Sequence, residues 1–229
     1  MTRTGMMCRA SGADLDVLSG LVAEAFSDGP VGAWLVPALT DRPLVLCRYA
    51  RLVVSWGLEY GQVDMTVDQS AVAVWFRRGE APAQAAGWMY DLHQALGAYA
   101  SRFALWHAYL DAVVPPVPHA YLAHLATLPG REDAARVLLA ACHRVLDIEG
   151  LPAYAECLGG RPREGVLAGC GYTPRSPILL EPGGPALWRM WRPAPDVGRS
   201  CGGFPSRVRL RRGVTLSGGR VVPSRLGPC

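Results

Sequence analysis

The sequence predicts an α+β protein with a mixed, mostly antiparallel sheet that is flanked by helices. Two stretches carry this prediction. Residues 119–157 contain a strand, a turn at Pro129, a helix and a second strand, which is the order of a crossover between two parallel neighbours. Residues 62–77 contain two extended segments joined by a tight turn at Asp68, most simply an antiparallel hairpin.

Ahead of the hairpin, the sequence favours a short strand at residues 6–10 and then a helix. Ser11, Gly12 and Asp14 are of the residue types that begin helices. Leucine, valine and finally Phe26 recur behind them at helical spacing. This helix is therefore predicted to turn one apolar face toward a core.

A second helix is predicted at residues 40–60, after a short packed segment at residues 31–37. Thr40 can cap its first turn, and Pro43 suits the first helical positions, where no backbone N–H is needed. Gly61 ends the helix, and the hairpin follows at once.

Residues 83–114 have a helical composition. Gly87 and Gly97 are weak points within it, so the region is predicted to form one bent helix or two short ones. Pro115 and Pro118 end the helical stretch and lead the chain into the central strand.

The central strand, residues 119–127, is followed by a turn and a helix at residues 133–149. Acidic residues at the start of that helix suit its dipole, and an apolar stripe follows. The stripe consists of Ala134, Leu138, Ala141, Val145 and Ile148. The remaining elements are predicted at residues 151–157 (strand), 162–168 (helix), 171–174 (strand or turn), 182–185 (turn) and 186–191 (strand).

Composition divides the chain into a domain, residues 1–192, and a tail, residues 193–229. The 229 residues contain 23 basic side chains, all of them Arg, and carry a formal net charge of +4. Eight Arg and one Asp lie in residues 192–229, so the residues before them carry a net charge of −3. The domain is therefore mildly acidic, and binding to nucleic acid is not expected of it.

The tail is rich in Gly, Pro, Ser and Arg and cannot bury enough apolar surface to offset the entropy lost on ordering. We predict that it is disordered and is cut early by proteases. Deleting residues 193–229 should leave the melting temperature nearly unchanged. Thermal melts of the full and the shortened chain test this, and a drop of several degrees would contradict it.

The seven Cys residues form no CxxC pair and no metal-site spacing. Their odd number and scatter fit thiols in a reducing cytosol better than a disulfide framework, so a cytoplasmic location and no metal are expected. No signal peptide is evident in residues 1–9. No run of about 18 apolar residues occurs, so no contact with a membrane is expected.

Several segments resemble the GNAT superfamily of N-acetyltransferases. AEAFSDGPVGAWLVP (residues 23–37) is similar to the family's segment between its first two helices, and AVAVWF (residues 71–76) to its third strand. HAYLAHLATLP (residues 119–129), followed by VLLAACHRVLDIEGLPAYAEC and GCGYTP, resembles the fourth strand, pyrophosphate loop, helix, fifth strand and closing strand. The ordered set spans residues 3–192.

The resemblance implies transfer of an acetyl group from acetyl-CoA to a primary amine of a small molecule or peptide. It also implies that the two parallel strands splay apart at their carboxyl ends. Acetyl-CoA would be held by backbone N–H groups of a strand bulge and of the turn before the next helix. The bulge residues would be Leu125, Ala126 and Thr127, and the turn residues Arg131, Glu132, Asp133, Ala134, Ala135 and Arg136.

The sequence departs from the family's pattern in two features. In the turn, the family's glycine positions fall on Arg131, Asp133 and Ala135, and Glu132 and Asp133 would place carboxylates beside the phosphates, so weak binding of acetyl-CoA is expected. Leu167 occupies the place of a Tyr that protonates the leaving thiolate, and Leu has no proton to donate.

The catalytic candidates are Glu156, His124 and Tyr121. Glu156, on the fifth strand, is the preferred general base, and His124 is of the type that titrates near neutral pH. His119 and His124 are predicted to face opposite sides of the central strand, because side chains alternate along it. A purely structural role is the alternative for each of these residues.

Phe26 and Trp34 are expected to wall the amine site, although core packing would explain them equally well. Two other functions stay open. One is a catalytically silent protein that keeps the fold and binds a ligand or partner. The other is association with nucleic acid through the Arg-rich tail, which alone predicts strong salt dependence. A monomer or a homodimer is expected.

Overall fold

The computed structural model describes residues 6–27, 29–79, 85–157 and 162–195. Its helices are α1 (Leu15–Ser27), α2 (Pro30–Leu35), α3 (Arg42–Tyr60), α4 (Ala85–Leu96), α5 (Ala100–Asp111), α6 (Glu132–Ile148) and α7 (Val166–Gly169). Its strands are β1 (Met7–Arg9), β2 (Gln62–Thr66), β3 (Ala71–Arg78), β4 (His119–Thr127), β5 (Ala153–Cys157), β6 (Thr173–Leu179) and β7 (Ala186–Arg192). The predicted tail lies outside the described residues from residue 196 onward.

These strands form one mixed sheet in the order β1-β2-β3-β4-β5-β7-β6. The pair β4 and β5 is parallel, and the other neighbouring pairs are antiparallel. The predicted hairpin and the predicted parallel crossover through α6 are thereby confirmed, and so is the α+β class of the fold.

Helices cover both faces of the sheet. The helices α1 to α5 pack on one face, around a core that includes Leu18 and Phe103. The helices α6 and α7 pack on the other face, around Leu138. The helix α3 packs closely on β3 at Gly57. A Cβ atom added to this glycine would lie 2.7 Å from the side chain of Val74. A larger residue at position 57 would push this helix off the sheet.

The buried stripe of α6 differs from the predicted one in its second half. Val145 and Ile148 are 42% and 86% exposed, whereas Leu139, Cys142 and Leu146 are buried. Both rows recur at spacings of three and four residues, so periodicity alone does not choose between adjacent rows. Packing against the strands makes that choice.

No helix among the described residues combines the length and the apolar character needed to cross a bilayer. Over the same ranges, no group of three or more His, Cys, Asp or Glu side chains is placed to hold a metal ion.

Candidate active site

The two parallel strands separate beyond their first residues. In the described part of the chain, pairing of β4 with β5 ends at Leu122, opposite Ala155. The N–H of Leu128 donates to the carbonyl of Ser70 on the β3 side (2.9 Å). Because N–H groups alternate in direction along a strand, the N–H of Leu125 points the other way, into the opening toward β5.

The strand β4 contains a one-residue bulge at Ala123. Val74 and Trp75 are adjacent on β3, but the β4 residues that they face are two apart, which leaves Ala123 as the extra residue. Residues 125–127, where the bulge was predicted, pair regularly with β3. The predicted position of the bulge was therefore wrong by two residues, because backbone irregularities leave no mark in the side-chain pattern.

The bulge places His119, Tyr121 and His124 on the same face of the sheet. Strict alternation predicted that the two histidines face opposite sides of the sheet, and this prediction was wrong. The extra residue reverses the alternation after it. Tyr121 contacts Glu156, and His124 packs against Phe26 in the core under α1 to α5.

A cavity of about 1460 Å³ lies on this face and reaches the residues around the opening between β4 and β5. Leu125 and Ala126 of the predicted acetyl-CoA site line it, as does Leu167 of α7. Its aromatic lining consists of Phe26, Trp56, Phe76, Trp88, Trp106 and Tyr121.

Glu156 brings a carboxyl group from β5 to this cavity. The hydroxyl of Tyr121 donates to its Oε2 atom (2.9 Å). Oε1 is buried, and no described residue meets it with hydrogen-bond geometry, although the Tyr154 hydroxyl is near enough to act on the pKa of this carboxyl group. Burial raises the pKa of Glu156 to about 7, although the hydroxyls of Tyr121 and Tyr154 and the charge of Arg78 act to lower it. This carboxyl group therefore gains and loses its proton near neutral pH.

Buried polar atoms without a hydrogen-bond partner concentrate at this cavity. Among the described residues they are Arg78 Nε, Trp106 Nε1, His119 Nε2, Glu156 Oε1 and the nearby Tyr154 hydroxyl. Each buried and unpaired polar group costs about 1–3 kcal/mol. Ordered water or a polar ligand in the cavity would satisfy these atoms.

Two histidines of the cavity are uncharged at neutral pH. Burial lowers the pKa of His107 to about 4 and that of His124 to about 3. The ring of His124 lies 5.3 Å from that of Phe26, and Nε2 of His107 lies within hydrogen-bonding distance of the Tyr49 hydroxyl (3.2 Å). Both rings extend the aromatic wall and add no positive charge to it.

The predicted phosphate-binding turn is compact. Gly130 has a φ of +73°, and the N–H of Arg131 donates to the carbonyl of Leu128 (3.1 Å), which closes a tight turn before α6. The guanidinium of Arg131 pairs with Asp68 (3.2 Å) and with Asp133 (3.5 Å). The basic side chain nearest this turn is thus already engaged by two acids.

One backbone donor in the first turn of α6 is already used within the protein. The N–H of Ala134 already donates to the carbonyl of Arg131 (2.9 Å). The side chains of Ala134 and Ala135 are buried in the core, and those of Glu132 and Asp133 are exposed. A pyrophosphate at this helix end would share the first turn with two carboxylates.

The other predicted binding residues are divided between the cavity and its surroundings. Phe26 lines the cavity, whereas Trp34 is not among its described lining residues. The indole N–H of Trp34 donates instead to the carbonyl of Pro182 (3.2 Å), which holds the ring away from the site. Thr127 pairs with β3 and does not line the cavity, and Arg136 is exposed on α6.

Leu167 lines the cavity at the position that the resemblance to the GNAT superfamily assigns to a Tyr. The next Tyr along the chain, Tyr172, is buried on the opposite face, with its hydroxyl 3.2 Å from Nε2 of His143. It therefore cannot take over the role of a proton donor in this cavity.

Sequence reasoning missed several residues that the structure brings to the cavity. They are Trp56, Arg78, Trp88, Trp106, His107 and Asp111. One indication was present, since Trp88, Trp106 and His107 stand out in a helical region of small and aliphatic residues. Their common direction follows from the packing of α4 and α5, which periodicity does not reveal.

No protein-family model matches this chain, and no curated protein sequence matches it significantly. A crystal structure of histone acetyltransferase HPA2 and related acetyltransferase from Corynebacterium glutamicum is 20% identical and covers 82% of this chain and 96% of its own, with a TM-score of 0.59. The structure of arylalkylamine N-acetyltransferase 2 from Aedes aegypti is 13% identical and covers 82% and 98%, with a TM-score of 0.54. These likenesses show that the chain has the GNAT fold.

Proposed function

On a GNAT fold, we propose that this protein is an N-acetyltransferase that transfers the acetyl group of acetyl-CoA to a primary amine. The observation that carries the proposal is the buried carboxyl group of Glu156, which faces a large cavity and has a pKa of about 7. A primary amine arrives as an ammonium ion and must lose a proton before its nitrogen can attack a thioester. A carboxyl group that binds protons near neutral pH can accept that proton.

The opening between β4 and β5 fits the thioester end of acetyl-CoA, which supplies the activated acyl group. Leu122, Ala155 and Leu167 give this part of the cavity apolar walls. The N–H of Leu125 points into the opening and is not used by the β3 ladder. It would stabilise the negative charge that develops on the carbonyl oxygen during attack.

Glu156 and Tyr121 would move the protons of the reaction. Glu156 takes a proton from the ammonium at Oε1, while Tyr121 holds Oε2 in place. The amine nitrogen then bonds to the acetyl carbon, the carbon–sulfur bond breaks, and the sulfur leaves as a thiolate. The nitrogen of the adduct gives its second proton to solvent. Since Leu167 has no proton, we assign protonation of the thiolate to the pair Glu156 and Tyr121, which pass on the proton that Glu156 took from the ammonium.

A second candidate function is a catalytically silent GNAT-fold protein that binds a ligand or partner. The observation in its favour is the first turn of α6, where Glu132 and Asp133 stand at the expected phosphate position and Arg131 is paired with Asp68. Tight binding of acetyl-CoA is not expected of such a turn.

Calorimetric titration with acetyl-CoA, combined with an assay for thiol release in the presence of primary amines, separates the two functions. An acetyltransferase binds acetyl-CoA and releases CoA only when an amine is present. A silent protein shows no amine-dependent release at any concentration of acetyl-CoA.

The substitution Tyr121→Phe tests the coupling of Tyr121 to Glu156. The hydrogen bond from Tyr121 lowers the pKa of Glu156, so its loss should raise that pKa. The acidic limb of the kcat/KM profile should move upward by about one pH unit. Tyr109→Phe is the matched control, because the Tyr109 hydroxyl contacts the carbonyl of Glu181 instead. An unchanged profile in Tyr121→Phe would contradict the assignment.

A further inference from the structure

The acceptor side of the cavity has an aromatic wall. The ring centroids of Trp56 and Trp88 are 5.3 Å apart, those of Trp88 and His107 5.0 Å, and those of His107 and Trp106 5.2 Å. Phe26 continues the series at 5.6 Å from Trp106. Five rings from α1, α3, α4 and α5 thus form one connected surface, which suits a flat, apolar ligand.

The ion pairs of the cavity leave one described acid that can pair with a cationic ligand. The guanidinium of Arg78 pairs with Asp111 (3.7 Å), and that of Arg77 pairs with Glu149 (2.7 Å). Among the described acids that line the cavity, Glu156 therefore remains without an ion pair. A ligand with several separated ammonium groups would have to bury the others without a partner, which is costly.

The single acid and the aromatic wall are close to each other. The hydroxyl of Tyr121 hydrogen-bonds to Glu156. Tyr49 lies near enough that the charge of Glu156 contributes to raising its pKa, and its ring is 5.7 Å from that of Trp106. Glu156, Trp88 and Trp106 also line the same cavity, so one ligand in it can meet both the acid and the rings.

We infer that the acceptor is an aromatic monoamine: a primary amine on a short chain that carries an aromatic ring. This inference rests on the proposed function and specifies its substrate class. The ammonium binds the unpartnered Oε1 of Glu156, and the ring packs against Trp88, Trp106 and Phe26. Because His107 is neutral, the rings of this wall carry no positive charge of their own. The guanidinium of Arg78 also lines the cavity, and Asp111 offsets its charge.

The test compares acceptors of different chemistry in the thiol-release assay. Tryptamine and 2-phenylethylamine represent aromatic monoamines, and spermidine, kanamycin and a lysine-containing peptide represent the other classes. The aromatic monoamines should give values of kcat/KM about tenfold or more above the others. A preference for any of the other three overturns the inferred class and leaves the acetyltransferase function standing.

Direct calorimetric titration with tryptamine and spermidine separates a failure of the class from a failure of the function. If tryptamine binds in preference to spermidine but no amine is acetylated, the cavity binds aromatic monoamines as inferred, and the acetyltransferase proposal is contradicted. Binding of spermidine in preference, or of neither amine, overturns the class.

A variant pair locates the aromatic subsite. Trp88→Ala removes one ring of the wall, and it should raise KM for tryptamine by about tenfold while leaving KM for acetyl-CoA unchanged. Tyr90→Ala is the control on the same helix, because Tyr90 is 66% exposed and does not line the cavity. Equal effects of the two substitutions on KM for tryptamine would overturn the placement.

Discussion

Replacing Glu156 with Gln is expected to lower kcat/KM by about 10²–10⁴-fold, the range typical of a lost general base. Gln keeps the shape of the side chain but cannot accept the proton of the ammonium. In the unmodified protein, kcat/KM should rise with pH through the pKa of Glu156, about 7, and then level off. Initial rates measured across this pH range with saturating acetyl-CoA give both results.

The control for this substitution is Glu24→Gln, since Glu24 is exposed on α1 and does not line the cavity. It should leave the rate and the pH profile unchanged. If Glu156→Gln kept an undiminished rate, or kept the same acidic limb, the titrating group would lie elsewhere and the assignment of Glu156 as base would fail.

The same carboxyl group links stability to pH with a definite sign. Burial raises the pKa of Glu156 from 4.5 to about 7, so the folded state holds this proton more tightly than the unfolded state. The contribution of Glu156 to the free energy of unfolding is fully present below about pH 4.5 and is lost as pH rises through about 7. Thermal melts should therefore find Glu156→Gln at least as stable as the unmodified protein above neutral pH.

The double substitution Glu132→Gln and Asp133→Gly is expected to tighten acetyl-CoA binding by about tenfold or more, which is about 1.4 kcal/mol. A carboxylate roughly 6 Å from a phosphate costs about 3 kcal/mol at an effective dielectric constant of about 20. The guanidinium of Arg131 offsets part of the charge of Asp133, at 3.5 Å, but it is shared with Asp68. Calorimetry at low salt, where screening is weak, measures the change in Kd.

The same titration needs a control for general charge effects, and Glu24→Gln serves here as well. A thermal melt of the double variant checks that the loss of two acids at the start of α6 has not unfolded the helix. Micromolar binding by the unmodified protein that does not change in the double variant would show that both acids point away from the phosphates. The turn would then not weaken the binding of acetyl-CoA, and the silent-protein alternative would lose its support.

Much of the fold follows from local patterns. Alternation, helical spacing and turn residues predicted β2, β3, β4, α6 and β5, and the order of these elements predicted the antiparallel hairpin and the parallel pair. Such patterns suffice because each element buries one face, and the spacing of apolar residues along the sequence shows which positions share that face. The choice of Glu156 as candidate base also came from the sequence, since its strand and position within the crossover were predictable.

The composition of the site was decided by the tertiary structure. The bulge at Ala123 has no side-chain signature, yet it brings His124 to the same face as Tyr121. The pKa of Glu156 is raised by burial and lowered by a hydrogen bond from Tyr121, which lies 35 positions away in the chain. Trp88 and Trp106 become one wall only when α4 and α5 pack together. Desolvation and ring contacts depend on distances in space, and a one-residue shift in register alters them without altering any local pattern.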